Sequence, residues 1–176
     1  MREQLEGCVG AFSGKAEFTA VTQISDLVPQ RPHSSQFIEL EQSLQSRVEH
    51  ISPFADQLMQ FIKPLTQSCR DDSISLDIEI ALREALANAV IHGNRNNPDK
   101  RVRVTCRCSV DREISITVRD EGRGFDSSAV PDPTDRNNVL LSHGRGIRLM
   151  KALMDGVSFE ENGTVVRMRK RLRSAG

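Results

Sequence analysis

The sequence predicts an α/β (α+β) two-layer sandwich, a mostly antiparallel mixed sheet with helices packed on one face. Two observations carry this. Segments of period two and segments of helical period alternate as strand, helix, helix, strand, strand, helix, strand, strand. Hairpins dominate that order, so neighbouring strands run antiparallel and the helices are left to one face.

"FIELEQSL", from Phe37, alternates as an edge strand does. "VEHISPFADQLMQFIKPLTQSC" is a helix of roughly four turns, with Phe54, Leu58, Phe61, Ile62 and Leu65 recurring at three and four. Ser52 is its expected cap, Pro53 its first helical residue, and Pro64 marks its late part. "DDSISLDIEIALREALANAVIHGNRNNP" is the second helix, capped by Ser75 and stopped by Gly93, Asn94 and Pro98. In "RVRVTCRCSV" Val102, Val104, Cys106 and Cys108 share one strand face; in "EISITVRDEG" Ile114, Ile116 and Val118 do. "VDRE" is the turn between them. After the polar loop "FDSSAVPDPTDRNNVLLSH", "GRGIRLMKALMD" is a third helix, with Ile147, Met150, Leu153 and Met154 inward. "GVSFEENGTVVRMRKRL" closes the fold as two strands around a turn at Asn162-Gly163.

The chain has 176 residues, enough for one domain with a core of its own. That domain is expected over 36–173, with residues 1–35 as an N-terminal extension and a candidate for partial disorder. Hydrophobic residues make up 38% and Trp and Tyr are absent, so the core is aliphatic with a few Phe. A formal net charge of zero gives no pointer to nucleic acid or to a membrane surface. No apolar run is long enough to span a membrane, and the start lacks a signal-peptide layout, so a cytoplasmic protein is expected. Cys8, Cys69, Cys106 and Cys108 form no CxxC pair; Cys106 and Cys108 read as reduced residues half-buried on a strand.

On the second helix Glu84, Asn88 and His92 recur every four residues, so they form one stripe. Leu82, Leu86 and Val90 lie round the helix from it and face the core, with Ala81, Ala85 and Ala89 between. Taken alone, the stripe reads first as a solvated helix face. Its chemistry also suits a site. A carboxylate can orient and deprotonate a hydroxyl, and an Asn side-chain oxygen is a good single protein ligand for Mg²⁺, which takes its other ligands from water and phosphate.

"VRDEGRGF" sets Asp120 at a strand end, followed by Gly122 and Gly124. A lone GxG is weak. The carboxylate says more: it can accept a hydrogen bond from the exocyclic amine of adenine, where guanine offers an acceptor and is rejected. "SHGRGIRLM" sets Gly144 and Gly146 before a helix, a turn that presents backbone N–H groups and the positive end of a helix dipole to an anion. No GxGxxG in a βαβ unit and no GxxxxGK[ST] is present, which argues against dinucleotide-binding and P-loop readings.

ExxxNxxxH on a helix, DxGxG after a strand and GxG opening a helix, in that order, are far more specific together than apart. Over residues 37 to 172 the chain resembles the GHKL ATP-binding superfamily, and within it the anti-sigma regulatory factors, the serine-kinase type of bacterial partner-switching systems. "EALANAVIHGN" resembles their N box, "RDEGRGF" their first glycine box, and "VPDPTDRNNVLLSHGRGIRLMKALMD" their lid and second glycine box.

The resemblance implies a Bergerat-type fold binding ATP or ADP with Mg²⁺. It implies that Glu84 is the general base, that Asn88 holds Mg²⁺ and that Asp120 contacts the adenine amine. Gly122 and Gly124 would shape the adenine pocket, and Gly144, Arg145 and Gly146 would lie by the phosphates. His92 and Thr164 are softer transfers into the nucleotide site. His143 stands where a small or polar residue is more usual. The implied function is a Mg-ATP-dependent serine-protein kinase and anti-sigma factor: it phosphorylates an anti-sigma-factor antagonist and sequesters a sigma factor. The alternative is an ATP-responsive sequestering module without significant transfer. A homodimer through sheet edges is a further implication, which nothing in the sequence shows. Outside the pattern, Arg167, Arg169, Arg171 and Arg173 alternate on the last strand, read as a solvated edge strand or as an electropositive patch for an acidic partner.

Overall fold

The computed structural model describes residues 37–67, 73–109, 112–124 and 145–172. The expected extension at 1–35, the loop at 125–143, and Gly144, Cys8, Cys69 and Arg173 lie outside the described residues.

β1 (Phe37–Gln45) leads through a single 3-10 turn, Val48–His50, into α1 (Ile51–Thr66). α2 (Ser73–Ala87) runs on into a π-helical turn, Asn88–Gly93. Then follow β2 (Arg101–Ser109), β3 (Glu113–Arg119), α3 (Arg145–Leu153), β4 (Gly156–Glu160) and β5 (Val165–Arg171). Among the described residues the element order is the predicted one.

The strands form one sheet in the order β1-β2-β3-β5-β4. All four pairings are antiparallel, so the sheet is less mixed than expected. The reason is the place of β5. A single crossover helix between β3 and β4 would make those strands parallel neighbours, but β5 folds back between them. The expectation of an arginine-bearing edge strand is corrected for the same reason: β5 has a partner on each side, and β1 and β4 are the edges. Its arginines project from the helix-free face instead. There Arg167 pairs with Glu160 at 3.2 Å and Arg171 with Glu113 at 3.6 Å.

The core fills the space between sheet and helices. Val102, Val104, Cys106, Ile114, Ile116 and Val118 are buried as the alternation predicts, facing Leu58, Ile62, Ile78, Leu82, Leu86 and Val90. Each such aliphatic side chain contributes about 1.5–3 kcal/mol by leaving water. Burial pushes the Cys106 thiol up to about 12, so it behaves as a small apolar group; Cys106 and Cys108 are both free thiols.

Two helix starts differ from the sequence reading. α1 begins at Ile51, after an N-cap at His50 that makes no side-chain bond, so Ser52 does not cap it. Ile51 is buried, and that packing draws the helix start back. Pro53 still falls in the first turn, where a missing N–H leaves no bond unmade. α2 is described from Ser73, with Ile74 buried on the core face, so Ser75 lies inside the helix rather than at its cap.

Candidate functional site

α2 packs against both α1 and α3, which makes it the central helix of the layer. Glu84 and Asn88 are half-buried on the side away from Leu82 and Leu86. The expectation of one α-helix through Gly93 is corrected: from Asn88 the turn widens to π geometry. The Asn94 N–H reaches back five residues to the Ala89 carbonyl at 2.8 Å, and the Asn96 N–H reaches the Val90 carbonyl at 2.7 Å. A π turn takes up an extra residue within an otherwise α-helical run, a geometry often found at functional sites. Val90 stays in the core while Ile91 and His92 swing outward and are exposed.

At one end of the site α3 comes up against this row. A Cβ built on Gly146 would lie 2.6 Å from Oε2 of Glu84, 3.5 Å from Nδ2 of Asn88 and 3.6 Å from its Oδ1. A side chain at this position would meet the Glu84 carboxylate, so glycine leaves that carboxylate where it stands. A carboxylate, a carboxamide and the Gly146 backbone therefore lie close together, groups suited to a phosphate and its cation. Arg145 is exposed beside it, and Gly144 lies outside the described residues.

The other end is built where β3 stops. Because β5 inserts next to β3, the Asp120 N–H donates to the Thr164 carbonyl at 3.0 Å. Oδ1 of Asp120 accepts the Gly122 N–H at 2.7 Å, which fixes the carboxylate. Gly93 and Gly122 close around it: a Cβ on Gly93 would stand 2.5 Å from Cγ of Asp120, and one on Gly122 would stand 2.3 Å from the Gly93 carbonyl oxygen. Burial raises the Asp120 carboxyl above the ordinary aspartate value, opposed by the Gly122 N–H and by the charge of Lys100. A Cβ on Gly124, which sits at φ 75°, would stand 2.1 Å from the Asn162 carbonyl oxygen in the β4–β5 turn. The Thr164 hydroxyl is spent inside that turn, donating to the Glu161 carbonyl at 2.8 Å.

The predicted residues thus fall into two groups. Glu84, Asn88 and Gly146 meet at one end; Asp120, Gly122 and the Thr164 backbone meet at the other, with Gly124 adjoining. The sequence matches the same arrangement. A family model described as the histidine kinase-like ATPase domain matches residues 44–170. The anti-sigma F factor of Heyndrickxia coagulans is 37% identical over 99 residues, spanning 53% of this chain and 67% of that protein. That of Clostridium botulinum (strain Eklund 17B / Type B) is 37% identical over 106 residues, spanning 57% and 72%. That of Oceanobacillus iheyensis is 37% identical over 102 residues, spanning 54% and 68%.

The chain belongs to the histidine kinase-like ATPase domain family, in its anti-sigma factor branch.

Two residues that position this candidate site escape a reading of the sequence alone. Asn94 reads there as a helix stop. In the structure it is 1% exposed, and its side chain ties three segments together. Nδ2 donates to the Arg101 carbonyl at 2.9 Å, and Oδ1 accepts the Glu121 N–H at 2.9 Å. It thus joins the end of the π turn, the start of β2 and the residue after Asp120. Gly93 also reads as a stop signal, yet it is the contact that leaves room for the Asp120 carboxylate. No local signal distinguishes either from an ordinary helix terminus. Among the described residues no helix is long and apolar enough to cross a membrane.

Proposed function

We propose that the chain is a Mg-ATP-dependent serine-protein kinase and anti-sigma factor, held in one domain over 36–173. The observation that carries this is the approach of Gly146 to Glu84 and Asn88, with Asp120 fixed separately at the end of β3. The residues fit a bound nucleotide. A side chain at Gly146 would fill the space beside Glu84 and Asn88, and the Gly122 N–H holds Oδ1 of Asp120 so that Oδ2 is left to accept from an adenine amine.

In this reading Asp120 selects adenine, and Gly122 and Gly124 shape the pocket around it. Thr164 holds the Asp120 backbone, and His92 flanks the site from the outer side of the π turn. Gly144, Arg145 and Gly146 bind the phosphates through N–H groups and charge. Asn88 would hold Mg²⁺ through its side-chain oxygen. ATP with its cation supplies an activated γ-phosphoryl group and the neutralisation of its charge. Glu84, one turn from Asn88, accepts the proton of the attacking serine hydroxyl. Positioning and charge neutralisation do most of the work in such a transfer.

The substrate proposed is an anti-sigma-factor antagonist, and the sequestered partner a sigma factor. Support comes from the relatives, which are named anti-sigma F factors. Phosphorylation releases the antagonist and frees this protein for the sigma factor. The test is to mix the purified protein, Mg-ATP and a candidate anti-sigma-factor antagonist. Phosphoserine on the antagonist is expected. Its absence, under conditions where ATP binds, removes the kinase claim and leaves an ATP-responsive sequestering module.

A further inference from the structure

Lys170 lies on the core-facing side of β5, between Met168 and Leu172, which are 0% and 4% exposed. An ammonium in that row is unfavourable unless paired. Its partners come from two helices of the one helical layer. Nζ donates to Oδ2 of Asp77 on α2 at 2.8 Å and to the Leu153 carbonyl, the last residue of α3, at 2.5 Å. The pair is largely shielded, with side-chain exposures of 14% for Lys170 and 23% for Asp77. A positive charge at a helix C-terminus is also favoured by the helix dipole.

The positions of these partners are informative. Asp77 and Glu84 are seven residues apart on α2, close to two full turns, so they lie on one face. Gly146 and Leu153 are also seven apart on α3. α3 therefore runs antiparallel along α2, its first turn at Glu84 and its last turn at Asp77 by way of Lys170. Ile147, Met150 and Met154 hold α3 to the core by apolar contact, which is non-directional. Apolar contact fixes which face is buried but sets the position along the axis only loosely. The Lys170 clip is directional.

We infer that Lys170 is a positioning residue for the phosphate end of the site. It fixes α3 along its axis so that the Gly146 backbone stands against Glu84 and Asn88. A buried pair of this kind adds little net stability over an apolar replacement but can specify register. The inference rests on reading the Gly146 end as the phosphate end. It separates two parts of one ligand, because Asp120 is anchored to β5 and Gly122 and does not depend on α3.

The experiment measures ATP and adenosine affinities, with Mg²⁺ present, for wild-type protein, Lys170→Met and Asp77→Asn. Wild type is expected to bind both. Lys170→Met is expected to bind ATP at least ten-fold more weakly and adenosine within two-fold of wild type. A loss of general fold quality would lower both together. Folded Lys170→Met with wild-type affinity for ATP, or with parallel losses of ATP and adenosine affinity, overturns the inference. Should that variant not fold, Asp77→Asn decides: a selective loss of ATP affinity supports the inference, and unchanged or parallel affinities overturn it. Wild-type protein that binds neither compound overturns the site reading and this inference with it.

Discussion

The carboxylate of Asp120 occupies the space that a side chain on Gly93 would need, with Cγ 2.5 Å from the Cβ position and both oxygens at 2.6 Å. The end of the π turn and the end of β3 are fitted to one another with no room to spare. Gly93→Ala should therefore push the carboxylate off its Gly122 N–H and away from the adenine. A hydrogen bond to a charged group contributes about 1.5–3 kcal/mol, so ATP affinity should fall roughly 10- to 150-fold. Overpacking should lower stability by about 1–3 kcal/mol. Calorimetric titration with ATP and a urea melt measure the two effects; wild-type affinity in this variant would mean that Asp120 does not contact the base.

Asp120→Asn separates stability from binding. Burial raises the folded-state carboxyl above its ordinary value of 3.8, so the fold disfavours the ionised form. The sign follows from linkage. Below the ordinary value both states are protonated and the effect is absent. As pH rises from there through the raised folded value, wild type loses stability relative to a neutral side chain. Asp120→Asn should therefore melt at the same or a higher temperature than wild type at neutral pH, yet bind ATP poorly. In wild type, ATP affinity should drop on acidification at a pH above the ordinary aspartate range. Melting curves and titrations across pH check both.

Glu84 is assigned to proton transfer rather than to holding the nucleotide. Glu84→Gln should leave ATP affinity within a few-fold of wild type. Phosphoserine formation on the antagonist should slow by about 10²- to 10⁴-fold, the range typical of a lost general base. Single-turnover assays with radiolabelled ATP give the rate directly. An unchanged rate would remove Glu84 from that role.

Asn94 is a test of the scaffold. Its replacement by Ala leaves the Arg101 carbonyl and the Glu121 N–H without their partner. Water reaches both groups in part, so Asn94→Ala should lose about 1 kcal/mol in urea denaturation. Asn94→Asp keeps the acceptor for Glu121 but sets a buried carboxylate against the Arg101 carbonyl, and should lose at least as much.

The parts of this fold that were legible in the sequence are those set by short-range pattern. Val102, Val104 and Cys106, and Ile114, Ile116 and Val118, alternate because one face of each strand meets the helices. The stripe of Glu84 and Asn88 opposite Leu82 and Leu86 is legible for the same reason. The start of α1 is less legible, because burial of Ile51 outweighs the capping preference of Ser52. The π turn at Asn88–Gly93 has no local signature, since its residues suit an α-helix equally well. The central place of β5 depends on pairing order, which is non-local, so its arginines looked like an edge. In the site, residue types pointed to Glu84, Asn88 and Asp120. The roles of Gly93, Asn94 and Lys170 arise only from contacts between elements distant in sequence.

The central claim is that one adenine nucleotide spans the two ends of this site, its base at Asp120 and its phosphates between Gly146, Glu84 and Asn88. The most direct measurement is thermal denaturation of the full chain with Mg-ATP and with Mg-GTP. ATP at 100 times its dissociation constant should raise stability by about 2.7 kcal/mol. GTP at the same concentration should give little or no shift, because guanine offers Asp120 an acceptor rather than a donor. No shift with ATP, or equal shifts with both nucleotides, would contradict the account.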